Sequence, residues 1–276
     1  MVNIGKYNTL KIVKEVDFGL YLDGEEKGEI LLPSRYVPEG YLIGENIDVF
    51  VYKDSEDRLI ATTEHPYAQV GDFVLLEVKS VNNVGAFLEW GLAKDLLVPF
   101  REQKMKMQEG RSYIVYIYLD NVTERIVASA KLEKFLDNTM VRYEPNQEVD
   151  LLIVQETELG YKVIINNLHW GMIYHNEIFS EIEKGDRLKG YVKQVREDEK
   201  IDVSLQPLGY EKIEGLAGEI LKTLKEHEGY LPLCDKTSAQ EIGGYFACSK
   251  KNFKKAIGYL YKQHLILILE DGIRLI

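Results

Sequence analysis

Residues 70–91 read VGDFVLLEVKSVNNVGAFLEWG, followed by DLLVPF at 95–100 and RIVASA at 125–130. The run VLLEVKSV mixes β-branched and apolar side chains, as does YIVYIYL at 113–119. That mixture is typical of strands. Gly85 lies between two such runs, where a tight bend or bulge needs a residue without a side chain. The polar segment REQKMKMQEG at 101–110 ends in glycine and reads as a surface loop. Five strands are therefore expected, roughly Asp72–Val81, Gly85–Glu89, Asp95–Pro99, Ser112–Tyr118 and Ile126–Ser129. Five short antiparallel strands of this length suit a small closed barrel.

The same pattern occurs three times. Gly19, Gly85 and Gly160 each stand between strand-like runs, and fourteen residues later come Pro33, Pro99 and Tyr174. Twenty-five residues after the first glycines lie Gly44, Gly110 and Gly185, and sixteen further on lie Ile60, Ile126 and Ile201. Offsets that hold without a gap in three copies indicate tandem units. Each copy is about 65 residues, enough for one marginal core, so packing between neighbours is expected to add stability. The expected domains are 1–64, 65–144 and 145–207, with a fourth unit at 208–276.

Beyond Pro207 and Gly209 the apolar period becomes helical. Ile213, Leu216, Ile220, Leu221 and Leu224 predict an amphipathic helix over 211–228, with Gly229 as its stop. Ser238 and Glu241 form a capping-box pattern for a second helix reaching Phe246. Ser249 caps a third helix, which turns Phe253, Ile257 and Leu260 inward. LILILEDGIRLI then reads as a hairpin around Asp271-Gly272. This is the element order of a winged helix. The expected fold is mainly β with a C-terminal α+β domain: three tandem five-stranded OB-fold barrels and a winged helix.

The 276 residues carry a net charge of −11, distributed unevenly. Residues 1–64 hold 7 basic and 13 acidic side chains, 65–144 hold 10 and 11, 145–207 hold 7 and 12, and 208–276 hold 10 and 9. An acidic barrel still binds a single strand when one face is locally basic and aromatic. Cys234 and Cys248 form no CxxC pair and suggest neither zinc nor a disulfide framework. The first residues have no apolar stretch of signal-peptide length, and Leu265–Leu269 is too short to span a bilayer. The expected location is the cytoplasm.

VGDFVLLEVKSVNNVGAFLEWG, DLLVPF and RIVASA resemble the RNA-binding domain repeated in ribosomal protein S-one, and KGDRLKGYVKQVREDEKIDVSLQP at 184–207 closes in the same way. Three such domains followed by a winged helix resemble the conserved virulence factor B family over almost the whole chain. The resemblance implies RNA lying across the second and third strands of a barrel. Two aromatics would flank the glycine turn, a polar or aromatic residue would end strand three, and a basic residue would open strand five. The corresponding positions are Phe18, Tyr21, Pro33 and Leu59, with Arg58 beside it, in the first copy. The second copy has Val84, Phe87, Pro99 and Arg125, and the third has Leu159, Lys162, Tyr174 and Lys200. The three sets are unequal, so unequal binding is expected.

An exposed ring stacks on any base without reading sequence, and a nearby Arg or Lys neutralises phosphate. Aromatics in strands also serve as core or as cross-strand partners, and strand alternation decides between the two uses at Phe18, Tyr21 and Phe87. Lys250, Lys251, Lys254 and Lys255 open the third helix of the winged helix, either as phosphate contacts or as a solvated basic face. The chain has no HExxH, P-loop, nucleotide-binding GxGxxG or nucleophile elbow. His169 and His175 read as surface or rim residues rather than metal ligands. The expected protein is a non-enzymatic binder of single-stranded RNA with low sequence specificity, without cofactor or metal. Its expected role is post-transcriptional regulation of gene expression, extending to virulence-type genes on the resemblance alone. Two alternatives remain open: a duplex-DNA regulator acting through the winged helix, and a docking scaffold for ribosomal or RNA-processing proteins.

Overall fold

A computed structural model describes residues 1–175, 178, 181–207, 210–246 and 248–276. The first barrel is built from β1 (Tyr7–Val16), β2 (Gly19–Asp23), β3 (Glu29–Pro33), β4 (Asn46–Lys53) and β5 (Leu59–Thr62). The second contains β6 (Phe73–Val81), β7 (Gly85–Leu88), β8 (Leu96–Pro99), β9 (Ser112–Leu119) and β10 (Ile126–Ser129). The third contains β11 (Glu148–Thr157), β12 (Gly160–Ile165), β13 (His169–Tyr174), β14 (Arg187–Val195) and β15 (Ile201–Ser204). Each set closes on itself. Four of the five pairings in a barrel are antiparallel, and the third and fifth strands pair in parallel, as at Leu31 and Ile60. Five strands in a ring cannot all alternate in direction, so one parallel pair is unavoidable. The expectation of five antiparallel strands is corrected at this one pairing.

The repeat offsets have a direct physical origin. Gly19 lies opposite Pro33, Gly85 opposite Pro99 and Gly160 opposite Tyr174. A Cβ on these glycines would overlap the carbonyl oxygens of Leu32, Val98 and Ile173 respectively. The fourteen-residue offset is therefore one cross-strand register repeated three times. The twenty-five-residue offset is another. Gly44, Gly110 and Gly185 donate their N–H groups to Ile12, Val78 and Ile153, each the residue at which the first strand of its barrel bulges. The bulge turns the strand sharply enough to pair with two neighbours around the ring.

Two apolar seams join the barrels. At the first, Phe50 of β4 meets Trp90 edge-on, with ring centroids 5.8 Å apart. Lys94 reaches across it and donates to the carbonyls of Lys53 at 2.9 Å and Asp54 at 2.8 Å. Burial lowers the pKa of this ammonium. At the second seam, Phe73 and Ile114 pack with Leu152 and Ile164. Leu132 and Leu136, from the segment between the barrels, complete that cluster. Arg187 donates to the Phe73 carbonyl, and Asn167 donates to Asp72 at 3.3 Å.

The C-terminal unit has its own core, drawn from residues 216 onward. It comprises α1 (Tyr210–Glu226), β16 (Tyr230–Leu231), α2 (Ala239–Tyr245), α3 (Lys250–Lys262), β17 (Ile266–Ile268) and β18 (Ile273–Leu275). Gly229 stops α1 with φ 82° and donates to the Leu224 carbonyl at 2.7 Å. Ser238 and Glu241 form the expected capping box, and Phe253, Ile257 and Leu260 are buried. Gly209 lies outside the described residues. The segment after α1 supplies a third strand: β16 pairs with β18. A Cβ on Gly272 would overlap the Leu231 carbonyl, so this glycine admits the close approach of β16.

Candidate nucleic-acid interface

The outer face of the first barrel sets two aromatics side by side. Leu20 and Leu22 point into the core, so alternation turns Tyr21 outward. Phe18, at the turn, is 55% exposed. Its ring meets Tyr21 edge-on, with centroids 6.3 Å apart. Lys14 lies across the strand pair from Tyr21, and its ammonium stands 4.8 Å from the ring centroid. A ring backed by a cation and flanked by a second ring offers both a stacking surface and a phosphate contact.

The second barrel presents less. Phe87 faces outward between buried Ala86 and Leu88 and is half-buried beside Leu97. Val84, in place of an aromatic, is exposed at the turn, as is Phe100 just beyond β8. In the third barrel Tyr174 ends β13 half-buried. Its hydroxyl accepts from Arg196, whose guanidinium lies 5.8 Å from the ring centroid. Sequence reasoning assigned Lys200 to this site and missed Arg196. The β-hairpin between β14 and β15 folds Arg196 back onto the barrel, where Asp202, buried at 3% exposure, holds it at 2.9 Å.

All three cations expected to open strand five are already paired. Arg58 binds Asp54 at 2.7 Å and Glu56 at 3.0 Å. Arg125 points away from its own barrel and binds Asp57 of the first at 2.6 Å. Lys200 binds Asp198 at 2.7 Å, and this bond holds the Asp198 carboxyl below the usual range. Such exposed pairs contribute little to stability, about 0–1 kcal/mol in general, so a phosphate can displace the carboxylate at small cost. In α3, Lys250 donates to the Lys236 carbonyl at 3.2 Å and Lys254 lies 3.6 Å from Asp235. Lys251 and Lys255 are exposed on the same helix.

His169 corrects an expectation. It is buried, with ring nitrogens bonded to the Tyr143 hydroxyl at 2.9 Å and the Thr139 carbonyl at 2.9 Å. The segment entering the third barrel covers it, which no local pattern around position 169 announces. His175 is exposed, as expected. Among the described residues no cluster of His, Cys, Asp or Glu is arranged to hold a metal. No helix among them is long and apolar enough to cross a membrane.

Residues 4–64 and 70–131 each match the S1 domain family, and residues 218–275 match the CvfB-like winged helix domain. Neither S1 span includes the third barrel. Both kinds of module are nucleic-acid-binding folds, and together they define a nucleic-acid-binding protein. An uncharacterized protein, YitL, of Bacillus subtilis (strain 168) is 29% identical over 267 residues, covering 94% of this chain and 89% of that one. Conserved virulence factor B of Staphylococcus aureus (strain N315) is 26% identical over 241 residues, covering 82% and 78%. A solved multidomain protein with nucleic acid binding domains from Streptococcus pneumoniae TIGR4 is 24% identical, covers 99% and 98%, and superposes with a TM-score of 0.41. In its S1 domains, its CvfB-like winged helix domain and its relatives, the chain is similar to the conserved virulence factor B proteins.

Proposed function

We propose that the chain binds single-stranded RNA with low sequence specificity and acts in post-transcriptional control of gene expression. The observation that carries this reading is the exposed Phe18 ring set against Tyr21, with Lys14 over the second ring. That arrangement accepts any base, and Lys14, which Glu29 holds at 2.6 Å in an exposed pair, can exchange that carboxylate for a phosphate. It has no fork of donors that would read a base edge. In this reading the working units are 1–64, 65–144, 145–207 and 208–276. The second and third barrels add Phe87, Arg125, Tyr174 and Lys200, and the winged helix adds Lys250, Lys251, Lys254 and Lys255. The protein works in the cytoplasm without catalysis. The names of its relatives favour a role that extends to virulence-type genes.

The experiment is anisotropy binding of a labelled poly-uridine oligomer and of a matched duplex DNA across a salt series. Phe18→Ala with Tyr21→Ala is expected to weaken RNA binding by about 1–3 kcal/mol per lost stacking contact. Removing the four lysine charges of α3 is expected to flatten the salt slope. Preference for the duplex, abolished by the α3 changes and indifferent to the rings, would replace this reading with that of a DNA regulator. Absence of RNA binding at low salt would leave the docking scaffold.

A further inference from the structure

A cleft of about 350 Å³ opens where the second and third barrels meet. Three lysines reach it from three separate segments: Lys104 between β8 and β9, Lys162 on β12, and Lys184 between β13 and β14. Lys184 donates to the Ser112 carbonyl at 3.2 Å across the seam, and its ammonium lies 5.8 Å from the centroid of Tyr113. Lys104 is held by Glu133 at 2.7 Å, with both side chains more than half exposed. Lys162 differs from both. Its ammonium stands 3.7 Å from the centroid of the Trp170 ring, and among the described residues no carboxylate lies within ion-pair distance. Burial, the largest cause, lowers its pKa; Glu133 and Asp137 act to raise it and Lys104 to lower it.

This cation is placed unlike the three cations at the starts of the fifth strands. Arg58, Arg125 and Lys200 each carry a carboxylate, whereas Lys162 has only a π face. Glu133 and Glu156 also line the cleft, but neither forms an ion pair with Lys162, so this half-buried ammonium, near two further ammoniums, is placed to accept an anion. The walls suit a base as well as a phosphate: Tyr113 lines the cleft, and Met105, 68% exposed, stands at its edge. The volume is at the low end for small-ligand sites, which run from about 300 to 1,000 Å³. It suits a nucleotide-sized part of a single strand and does not suit a duplex.

We propose that the second and third barrels form one binding unit, in which this cleft is a shared subsite. Lys162 and Lys184 hold a phosphate of a single-stranded RNA crossing the seam, and Tyr113 and Met105 receive a base. The inference rests on the reading of the protein as an RNA binder. It explains why the third barrel lacks the turn aromatics: its part of the path lies at the seam, with a lysine at the position that Tyr21 and Phe87 hold in the other barrels.

The test uses the full chain and a poly-uridine oligomer carrying 4-thiouridine. Lys162→Met with Lys184→Met is expected to weaken binding on the order of tenfold at about 0.1 M salt, and to flatten the log–log salt slope by about 0.7 for each lysine. Photo-crosslinks are expected on the peptide containing Met105 or Tyr113. Lys162→Arg should restore most of the loss. If Lys162→Met disturbs the seam, Lys104→Gln with Lys184→Gln tests the same prediction from exposed positions. Wild-type affinity in both double variants, or crosslinks confined to the first barrel and the winged helix, would overturn the shared subsite and leave RNA binding in place. A folded wild type that binds no RNA overturns both, and retention of a partner protein after nuclease treatment would then assign the cleft to protein docking.

Discussion

Arg125 and Asp57 face each other across the first seam as a two-pronged pair, Nε to Oδ1 at 2.7 Å and Nη2 to Oδ2 at 2.6 Å. Asp57 sits at the tip of the turn between β4 and β5 with φ 62°, a backbone conformation that aims its carboxylate at the neighbouring barrel. A residue expected to meet RNA is thus occupied in joining two barrels. Asp57→Asn is expected to release Arg125 for phosphate, tightening binding of a poly-uridine oligomer and steepening the log–log salt slope by about 0.7. Arg125→Gln in the same background should cancel the gain. A slope unchanged by Asp57→Asn places Arg125 outside the RNA path.

The same pair predicts a pH dependence. The hydrogen bond from Arg125 holds the Asp57 carboxyl below its ordinary value of 3.8. A carboxylate with a depressed folded pKa contributes its full stability above the unfolded value and loses it as pH falls through the folded one. Melting of the wild type and of Asp57→Asn should therefore differ by a constant amount above pH 3.8 and converge below it. A difference that persisted at the acidic end would mean that the ion pair is not its source.

Trp90 is 2% exposed at the centre of the first seam, against Phe50. Trp90→Ala is expected to cost about 3–5 kcal/mol, as other large-to-small aromatic changes in cores do. Urea denaturation followed by circular dichroism would show it, together with a separate early transition as the first barrel loosens from the second. A single transition with an unchanged midpoint would mean that the seam contributes nothing to stability.

Gly160→Ala should destabilise the third barrel by about 2–4 kcal/mol. The new Cβ would overlap the Ile173 carbonyl, and φ 153° disfavours any side chain. Gly110→Ala makes a useful comparison, because no atom lies within 4 Å of the position its Cβ would take. It carries only the cost of φ 72°. Equal shifts in urea midpoint for the two would remove close strand approach as the reason for the repeat glycine.

The barrels were legible in the sequence because their signals are local. Gly19, Gly85 and Gly160 repeat because each closes one register within its own barrel, over a loop of fourteen residues. The winged helix was legible for the same reason, through the caps at Ser238 and Ser249. The seams were not. Phe50 and Trp90 lie forty residues apart in different copies, and an apolar residue in a strand reads the same whether it faces a core or a neighbour. The chain's two tryptophans, Trp90 and Trp170, both mark seams, and their scarcity was the one available hint. Charge pairing was equally hidden. Arg125 and Asp57 are sixty-eight positions apart, and only the docking of two barrels brings them together. Lys162 stood in the family pattern as a departure from an aromatic. The structure places its ammonium over the Trp170 ring at the second seam.

The fastening of one barrel to the next also determines how weak contacts combine. Barrels on loose tethers would each capture a strand at an effective concentration set by linker length. Here Phe50, Trp90 and Lys94 fix the first step and Leu152 and Ile164 fix the second, so the spacing between successive sites is set by packed side chains rather than by a wandering chain. A strand held at one barrel is presented to the next at a constant distance. Affinity should then rise in steps with oligomer length, one step each time the strand becomes long enough to reach another barrel.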